Sequence, residues 1–193
     1  NAGAFALPQD SVRRSERGSA NFDARLRQTA YFVWDVPYAE NRPYGGWQLS
    51  GILTLQSGPP FTVNSAIDVN RDGNLTDRLN TTDGLIAGKQ KGTTLRLAPG
   101  VAPASLLAAD TQDGAVGRNT FRAPGLYSID LALSKEWKWQ DQLRIRLRAE
   151  VFNLTNHVNF GIPVRILESP AFGSSVNTTI PARTIQLAVK CQF

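Results

Sequence analysis

Residues 184–193 read TIQLAVKCQF and alternate apolar with polar side chains over their whole length. The apolar positions, which share one face of an extended chain, are Ile185, Leu187, Val189, Cys191 and Phe193. Because successive side chains of a β-strand point to opposite sides, the segment predicts a strand with one apolar and one polar face. This pattern fits the wall of a membrane β-barrel and equally fits a half-buried antiparallel strand of a soluble sheet.

The composition of the 193 residues excludes several functional classes. No apolar run approaches the roughly 18 residues of a transmembrane helix, and a single cysteine excludes an internal disulfide. His157 is the one histidine, so a histidine metal cluster is impossible and no nucleophile–base pair can be assembled. The net charge of +5 is spread along the predicted strands, which argues against nucleic acid as a partner. We expect neither an enzyme nor a bound organic cofactor.

Four further segments repeat the alternation, at residues 24–36, 47–56, 127–139 and 142–151. In the last of these, an aliphatic face opposes an almost wholly charged one, as in a wide barrel whose polar face lines a watery lumen. The side chains predicted to face that lumen are Arg144, Arg146, Arg148 and Glu150. The arginines could mark an anion path, but pairing with the carboxylates of Asp130, Glu136 and Glu150 is the favoured interpretation.

The connections between these segments alternate in length: 38–45 is short, 58–125 long, 140–141 short and 154–183 long. An up-and-down barrel alternates periplasmic turns and extracellular loops in this way. We therefore expect an all-β fold, an antiparallel up-and-down transmembrane β-barrel segment of about five strands. Residues 1–23 would be an extracellular loop remnant, and 24–193 the carboxy-terminal barrel strands.

All four tryptophans lie on the apolar parity of their strands, at the ends beside the short turns: Trp34, Trp47, Trp137 and Trp139. Indole rings favour the headgroup level of a bilayer, so the pattern predicts a periplasmic aromatic girdle. The alternative is that the tryptophans fill one end of a β-sandwich core. Lys135 shares this apolar parity, and either its ammonium snorkels to the interface or a bulge shifts the register.

Five stretches resemble the carboxy-terminal barrel of TonB-dependent outer-membrane receptors: NFDAR (21–25), YFVWDVPY (31–38), GGWQLSGILTLQSGPPFTV (45–63), GRNTFRAPG (117–125) and RAEVFNLTNHVNFG (148–161). The most similar group is the Oar-like one, whose full-length members carry a carboxypeptidase-regulatory-like domain at the front. The resemblance implies a 22-stranded barrel in the bacterial outer membrane, filled by a plug and importing a scarce ligand with energy passed through TonB.

That resemblance also sets the expected partners. The sequence has no match to the front domain, TonB box, plug or most strands, so we expect a fragment that contributes strands and ligand-facing loops. Its partners would be the lipid bilayer, the remaining barrel and plug, and TonB through the missing front part. The strand at 184–193 would close the wall. Two alternatives remain: a soluble or surface-exposed β-sandwich for binding or adhesion, and a structural subunit completing a multi-chain β-wall.

An acidic stretch within 58–125 places oxygen-bearing side chains at mostly alternate positions: Asp68, Asn70, Asp72, Asn74, Thr76 and Asp77. Such spacing, with Gly73 after the third to permit a sharp turn, is how short loops wrap calcium. An EF-hand would want Glu at the twelfth position, where this chain has Leu79. The segment therefore predicts either a calcium site or an Asx-rich turn in a solvated loop.

Overall fold

The computed structural model describes residues 16–37, 45–139 and 143–193. These residues form nine β-strands and one short 3-10 helix, Pro103–Leu106. The strands are β1 Arg27–Asp35, β2 Trp47–Gln56, β3 Pro60–Phe61, β4 Leu85–Ala87, β5 Leu95–Leu97, β6 Phe121–Arg122, β7 Leu126–Trp139, β8 Leu143–Phe152 and β9 Thr184–Gln192. No helix among the described residues is long and apolar enough to cross a membrane.

The five long strands form one antiparallel sheet in the order β1-β2-β7-β8-β9. All five segments that alternate in the sequence are strands, so the all-β, antiparallel prediction is confirmed. The predicted start of the first strand at residue 24 is wrong, because β1 begins at Arg27. Asp23 is instead held in a turn, where its carboxylate and carbonyl accept hydrogen bonds from Arg122. The short connections lie outside the described residues, apart from Gly45.

The register places the alternating apolar residues of all five strands on the same face of the sheet. One row across the sheet consists of side chains from every strand: Trp34, Leu49, Leu133, Ala149 and Leu187. Each is the cross-strand partner of the next, and neighbours in such a row interact directly. A one-residue slip in any strand would move its whole apolar set to the polar face. The face defined by this row is called the apolar face below, and the opposite one the polar face.

Lys135 lies on the apolar face without a bulge. It pairs with Trp47 on one side and Leu147 on the other in continuous ladders, so the bulge alternative is wrong. Its ammonium donates to the carbonyl of Gly45 and stands 5.4 Å and 5.6 Å from the ring centroids of Trp47 and Trp137. Cation–π contact and a carbonyl acceptor thus compensate the burial of this charge, which is 3% exposed.

The chain divides into two compact units. The sheet unit is built from Leu26–Gln56, Leu126–Asn159 and Ile180–Phe193, as far as these are described. The loop unit is built from Ser57–Gly125 and Phe160–Thr179, together with the described residues up to Arg25. The prediction of simple long loops at 58–125 and 154–183 is therefore incomplete, because most of both segments folds into the loop unit.

The loop unit has its own hydrophobic core, formed by Phe61, Val63, Leu79, Leu106, Ala123 and Leu167. Two small antiparallel sheets, β3 with β6 and β4 with β5, surround it. A buried ion pair adds to this core: Arg78 donates to both carboxylate oxygens of Glu16 at 2.9 and 3.0 Å. Strands β3 to β6 of the loop unit have only two or three residues each, which is too few for the sequence to show an alternating pattern.

Candidate functional site

The polar face of the sheet has a ladder of charged pairs. Arg146 donates from Nε to Glu136 on the neighbouring strand at 2.9 Å, and Arg148 donates to Glu150 on its own strand at 2.7 and 3.0 Å. The predicted pairing of the arginines is confirmed for these two. Asp130 is not a partner, because its carboxylate accepts from the Asn153 backbone at 2.8 Å and from Ser128 at 3.1 Å. Arg144 lies in the same column, opposite Lys138 and Gln192.

A shallow hollow of about 320 Å³ lies on the sheet beside this ladder. Its polar-face lining mixes apolar side chains with charged ones: Tyr31, Val33, Ile52, Asp130, Arg148 and Glu150. Tyr31, Val33 and Ile52 are exposed although they lie on the polar parity. The polar face can therefore contact both apolar and charged groups, and it is less uniformly charged than β8 alone suggests.

The apolar face exposes large hydrophobic side chains along its length: Phe32, Trp34, Leu133, Trp137, Leu147, Ile185, Leu187 and Val189. Leu187 is 80% exposed, and Cys191 is an exposed free thiol opposite Ile145. Water-soluble proteins rarely expose so large a contiguous apolar patch. Trp34, Trp47 and Trp137 lie on this face. Trp139 pairs with Leu143 through the backbone, and its side chain lies outside the description.

At the end of the sheet opposite these tryptophans, the side chains of two asparagines hydrogen-bond backbone groups that have no neighbouring strand there. Asn159 is 1% exposed, and its amide accepts from the Tyr127 N–H at 2.7 Å and donates to the Tyr127 carbonyl at 2.9 Å. Asn153, at a φ of 51°, donates to the carbonyls of His157 and Pro181. His157 lies in the same turn, where its backbone N–H donates to Asn153 Oδ1 at 3.0 Å.

The acidic stretch at 68–77 forms a tight turn that is closed by its own side chains. Asp68 accepts from the N–H groups of Asp72 and Gly73 at 3.2 and 2.9 Å, and Asp72 accepts from Asn74 at 2.7 Å. Gly73 has a φ of 85° and Arg71 one of 62°, as a sharp reversal requires. Within the described residues, no group of three or more His, Cys, Asp or Glu side chains is already arranged to hold a metal ion.

Asp77 differs from its neighbours in this turn because it is buried, at 1% exposure. Its Oδ2 accepts from the Val69 N–H at 2.9 Å, while its Oδ1 is buried without a hydrogen-bond partner. Burial raises the pKa of the Asp77 carboxyl, and the carboxylates of Asp68 and Asp72 raise it further. Asp72, which is exposed, has a lowered pKa because the Asn74 backbone hydrogen-bonds its carboxylate.

Sequence reasoning missed the second segment that supports this turn. The Asn70 side chain donates to Asp113 at 2.7 Å, and Arg71 forms an exposed ion pair with Asp110. The backbone of Thr111 also donates to the Val69 carbonyl at 2.9 Å. These partners lie about forty residues downstream, with no spacing motif that links them to the turn, so no local signal could have identified them.

Comparison with known proteins gives one family. The family model described as "Outer membrane beta barrel domain" matches residues 1–186, which is nearly the whole chain. No curated protein and no solved structure matches it.

Proposed function

The chain belongs to the outer membrane beta barrel domain family, and from the five stretches that resemble TonB-dependent receptors we propose that it is a wall segment of a TonB-dependent transporter of the Oar-like group. Membership places the chain in the bacterial outer membrane, in contact with lipid. In the proposal, the apolar face meets the hydrocarbon and the polar face meets the lumen. The tryptophans beside the short turns mark the periplasmic boundary, where indole rings are favoured.

The observation that carries this proposal is the chemical difference between the two faces of one five-stranded sheet. Aliphatic and aromatic side chains cover the apolar face, while Glu136–Arg146 and Arg148–Glu150 pairs lie on the polar face. A soluble sandwich would need a second sheet over the apolar face, but large side chains on that face are exposed. In a barrel wall, the apolar face contacts the bilayer and the polar face contacts a hydrated, partly filled lumen, so each face has a matching environment.

The two edges of the sheet support a multi-part wall. Among the strands that the structure describes, β1 and β9 each pair on one side only, so each presents N–H and C=O groups without a strand partner along the other side. In hydrocarbon each unpaired group costs several kcal/mol, and single-chain bacterial barrels need at least about eight strands to close. Further strands must therefore lie beside both edges, either from the same polypeptide or from a partner chain. The loop unit would present the ligand-facing surface, and TonB would act through a plug-bearing segment.

Purification of the chain from outer membranes in mild detergent, followed by mass spectrometry, tests this proposal. We expect equimolar recovery of further barrel strands and a plug-bearing segment, and cross-linking in cells should capture TonB. A barrel recovered with its strands but without any plug or TonB would contradict the transporter assignment and support a structural wall subunit. A water-soluble monomer that needs no detergent would support the sandwich alternative instead.

The isolated chain provides a second test. Because its sheet has two bare edges, we expect it neither to insert stably into liposomes nor to transport. The measurement is heat-modifiable mobility on gels after reconstitution. A compact, protease-resistant monomer with heat-modifiable mobility would contradict the requirement for additional strands.

A further inference from the structure

We propose that the hollow on the polar face binds an organic ammonium compound, with Asp130 as the counter-ion and with aromatic and aliphatic side chains around the apolar body of the ligand. This inference rests on the proposed function, because it names the chemical class of the cargo and gives it a site on the lumen wall. The binding itself depends on the sheet unit alone.

Asp130 lies at the centre of this surface. The register places Ile52 opposite Asp130 and Tyr31 opposite Ile52, so an acidic, an aliphatic and an aromatic side chain form one row across three strands. Phe152, at the end of β8, lines the hollow together with Asp130. A second hollow of about 340 Å³ adjoins the first, and both are lined by Asp130 and Phe152. The carboxylate therefore lies where the two hollows meet.

Two hydrogen bonds hold the Asp130 carboxylate in place. Its Oδ1 accepts from Ser128 Oγ at 3.1 Å and from the Asn153 N–H at 2.8 Å, and both donor residues are buried. Within the part of the chain that the structure describes, Oδ2 accepts no hydrogen bond. Because the Asp130 side chain is only half-buried, this second oxygen is available to a ligand in the hollow.

Asp130 differs from the other carboxylates of β7 and β8 because it lacks a neighbouring cation. Glu136 pairs with Arg146, and Glu150 pairs with Arg148. Arg148 uses both Nε and Nη2 on Glu150. No lysine or arginine among the described residues forms an ion pair with Asp130. An unbalanced negative charge beside exposed apolar groups matches a ligand that is cationic at one end and apolar over the rest.

The side chains beside Asp130 favour an ammonium group as that cation. Tyr31 is 81% exposed and Phe152 38% exposed, so both rings can contact a ligand in the hollow. Aromatic ring faces attract ammonium groups, and quaternary ammonium ligands are recognised in this way. The volume of about 320 Å³ lies at the lower end of the range of small-molecule sites, roughly 300–1,000 Å³, which favours a compound with a single ring.

Isothermal titration calorimetry on the complete barrel, purified from outer membranes in mild detergent, tests the proposal with three one-ring compounds. Benzyltrimethylammonium is cationic, benzyl alcohol is neutral and phenylacetate is anionic, and detergent without protein is the blank. Benzyltrimethylammonium should bind roughly tenfold more tightly than benzyl alcohol, and phenylacetate should bind most weakly. Equal binding of the three compounds would overturn the proposal. Binding of none would also overturn it, because another part of the barrel would then cover the hollow.

Asp130→Asn should weaken the binding of benzyltrimethylammonium roughly tenfold and leave that of benzyl alcohol unchanged. The asparagine oxygen can still accept from Ser128 and Asn153, so the variant removes the charge and keeps both hydrogen bonds. Asp35→Asn is the matched control on the same face, outside the hollow, where Asp35 accepts from Gln48 at 2.7 Å. It should bind all three compounds as the unaltered barrel does. A cation preference that persists in Asp130→Asn would overturn the proposal.

Tyr31→Ala tests the aromatic wall at an exposed position where the fold does not depend on the ring. It should weaken the binding of benzyltrimethylammonium roughly threefold. If Asp130→Asn loses its heat-modifiable mobility, Tyr31→Ala decides, and unchanged binding would overturn the proposal. None of these measurements involves TonB or transport. Loss of binding would therefore contradict the ammonium site alone, and a barrel recovered without plug or TonB would contradict the transporter assignment alone.

Discussion

Phe32 lies beside Gly51 across the β1–β2 ladder, on the apolar face of the sheet. A Cβ placed on Gly51 would stand 2.6 Å from Phe32 Cε1 and 2.6 Å from Leu131 Cδ2. The glycine therefore leaves space that two neighbouring side chains occupy. An aromatic ring that fills the space beside a strand glycine also shields its backbone, which the glycine cannot do itself.

Gly51→Ala should destabilise the complete barrel by about 1–3 kcal/mol, because the added methyl overlaps both neighbours. Denaturant unfolding of the barrel in liposomes measures this change. Adding Phe32→Leu should recover part of the loss, since a smaller side chain vacates the space. Equal losses for Gly51→Ala with and without Phe32→Leu would contradict the proposed packing.

Leu147→Arg should destabilise the barrel in lipid by about 2–4 kcal/mol if the site lies near the bilayer midplane, because the guanidinium would face hydrocarbon. Gln186→Arg is the control on the polar face, where Gln186 pairs with Glu150, and it should cost little. The same unfolding measurement applies to both variants. Similar costs at the two sites would remove the assignment of lipid to the apolar face.

Glu16→Ala should destabilise the loop unit by about 3–5 kcal/mol, because it leaves the buried Arg78 guanidinium without its bidentate partner. Asp110→Ala breaks the exposed ion pair with Arg71 and should cost no more than about 1 kcal/mol. Hydrogen exchange of the loop-unit amides compares the two. A small effect of Glu16→Ala would show that solvent reaches Arg78.

The raised pKa of Asp77 makes the stability of the loop unit depend on pH. Between the ordinary carboxyl pKa and the raised folded-state pKa, the folded form binds more protons, so this group's contribution to stability falls as pH rises. Its cost is fully present above the folded-state pKa. Hydrogen exchange should therefore show wild type losing stability relative to Asp77→Asn as pH rises through that interval. A difference between them that is constant with pH would contradict the ionisation of a buried Asp77.

The sheet was predictable from the sequence because its strands are long and each has one mainly apolar and one mainly polar face. Nine to fourteen residues of alternation fix both the strand and its faces, as β9 and β7 illustrate. Lys135 was the one charged residue on the apolar face of the five described strands, and its partners at Gly45, Trp47 and Trp137 come from three-dimensional packing rather than from spacing.

The loop unit was not predictable, for a different physical reason. Its core joins Phe61, Leu79, Leu106 and Leu167, which are far apart in the chain and lie in segments without periodicity. The acidic turn was visible as a spacing of oxygen-bearing side chains, but the burial of Asp77 and the bond from Asn70 to the distant Asp113 were not. The sequence therefore indicated the oxygen-bearing side chains of the turn, but it could not indicate that Asp77 is the one buried away from water.

Spin-label accessibility along β8 tests most directly whether the apolar face of the sheet contacts lipid. Nitroxides are placed one at a time from residue 144 to residue 151 in the complete barrel in liposomes, with Cys191→Ser as the background. Because successive side chains face opposite sides, collision with lipid-soluble oxygen should be high at Ile145, Leu147, Ala149 and Val151 and low at Arg144, Arg146, Arg148 and Glu150. Accessibility without this two-residue period, or with the two sets exchanged, would contradict a barrel wall whose apolar face meets lipid.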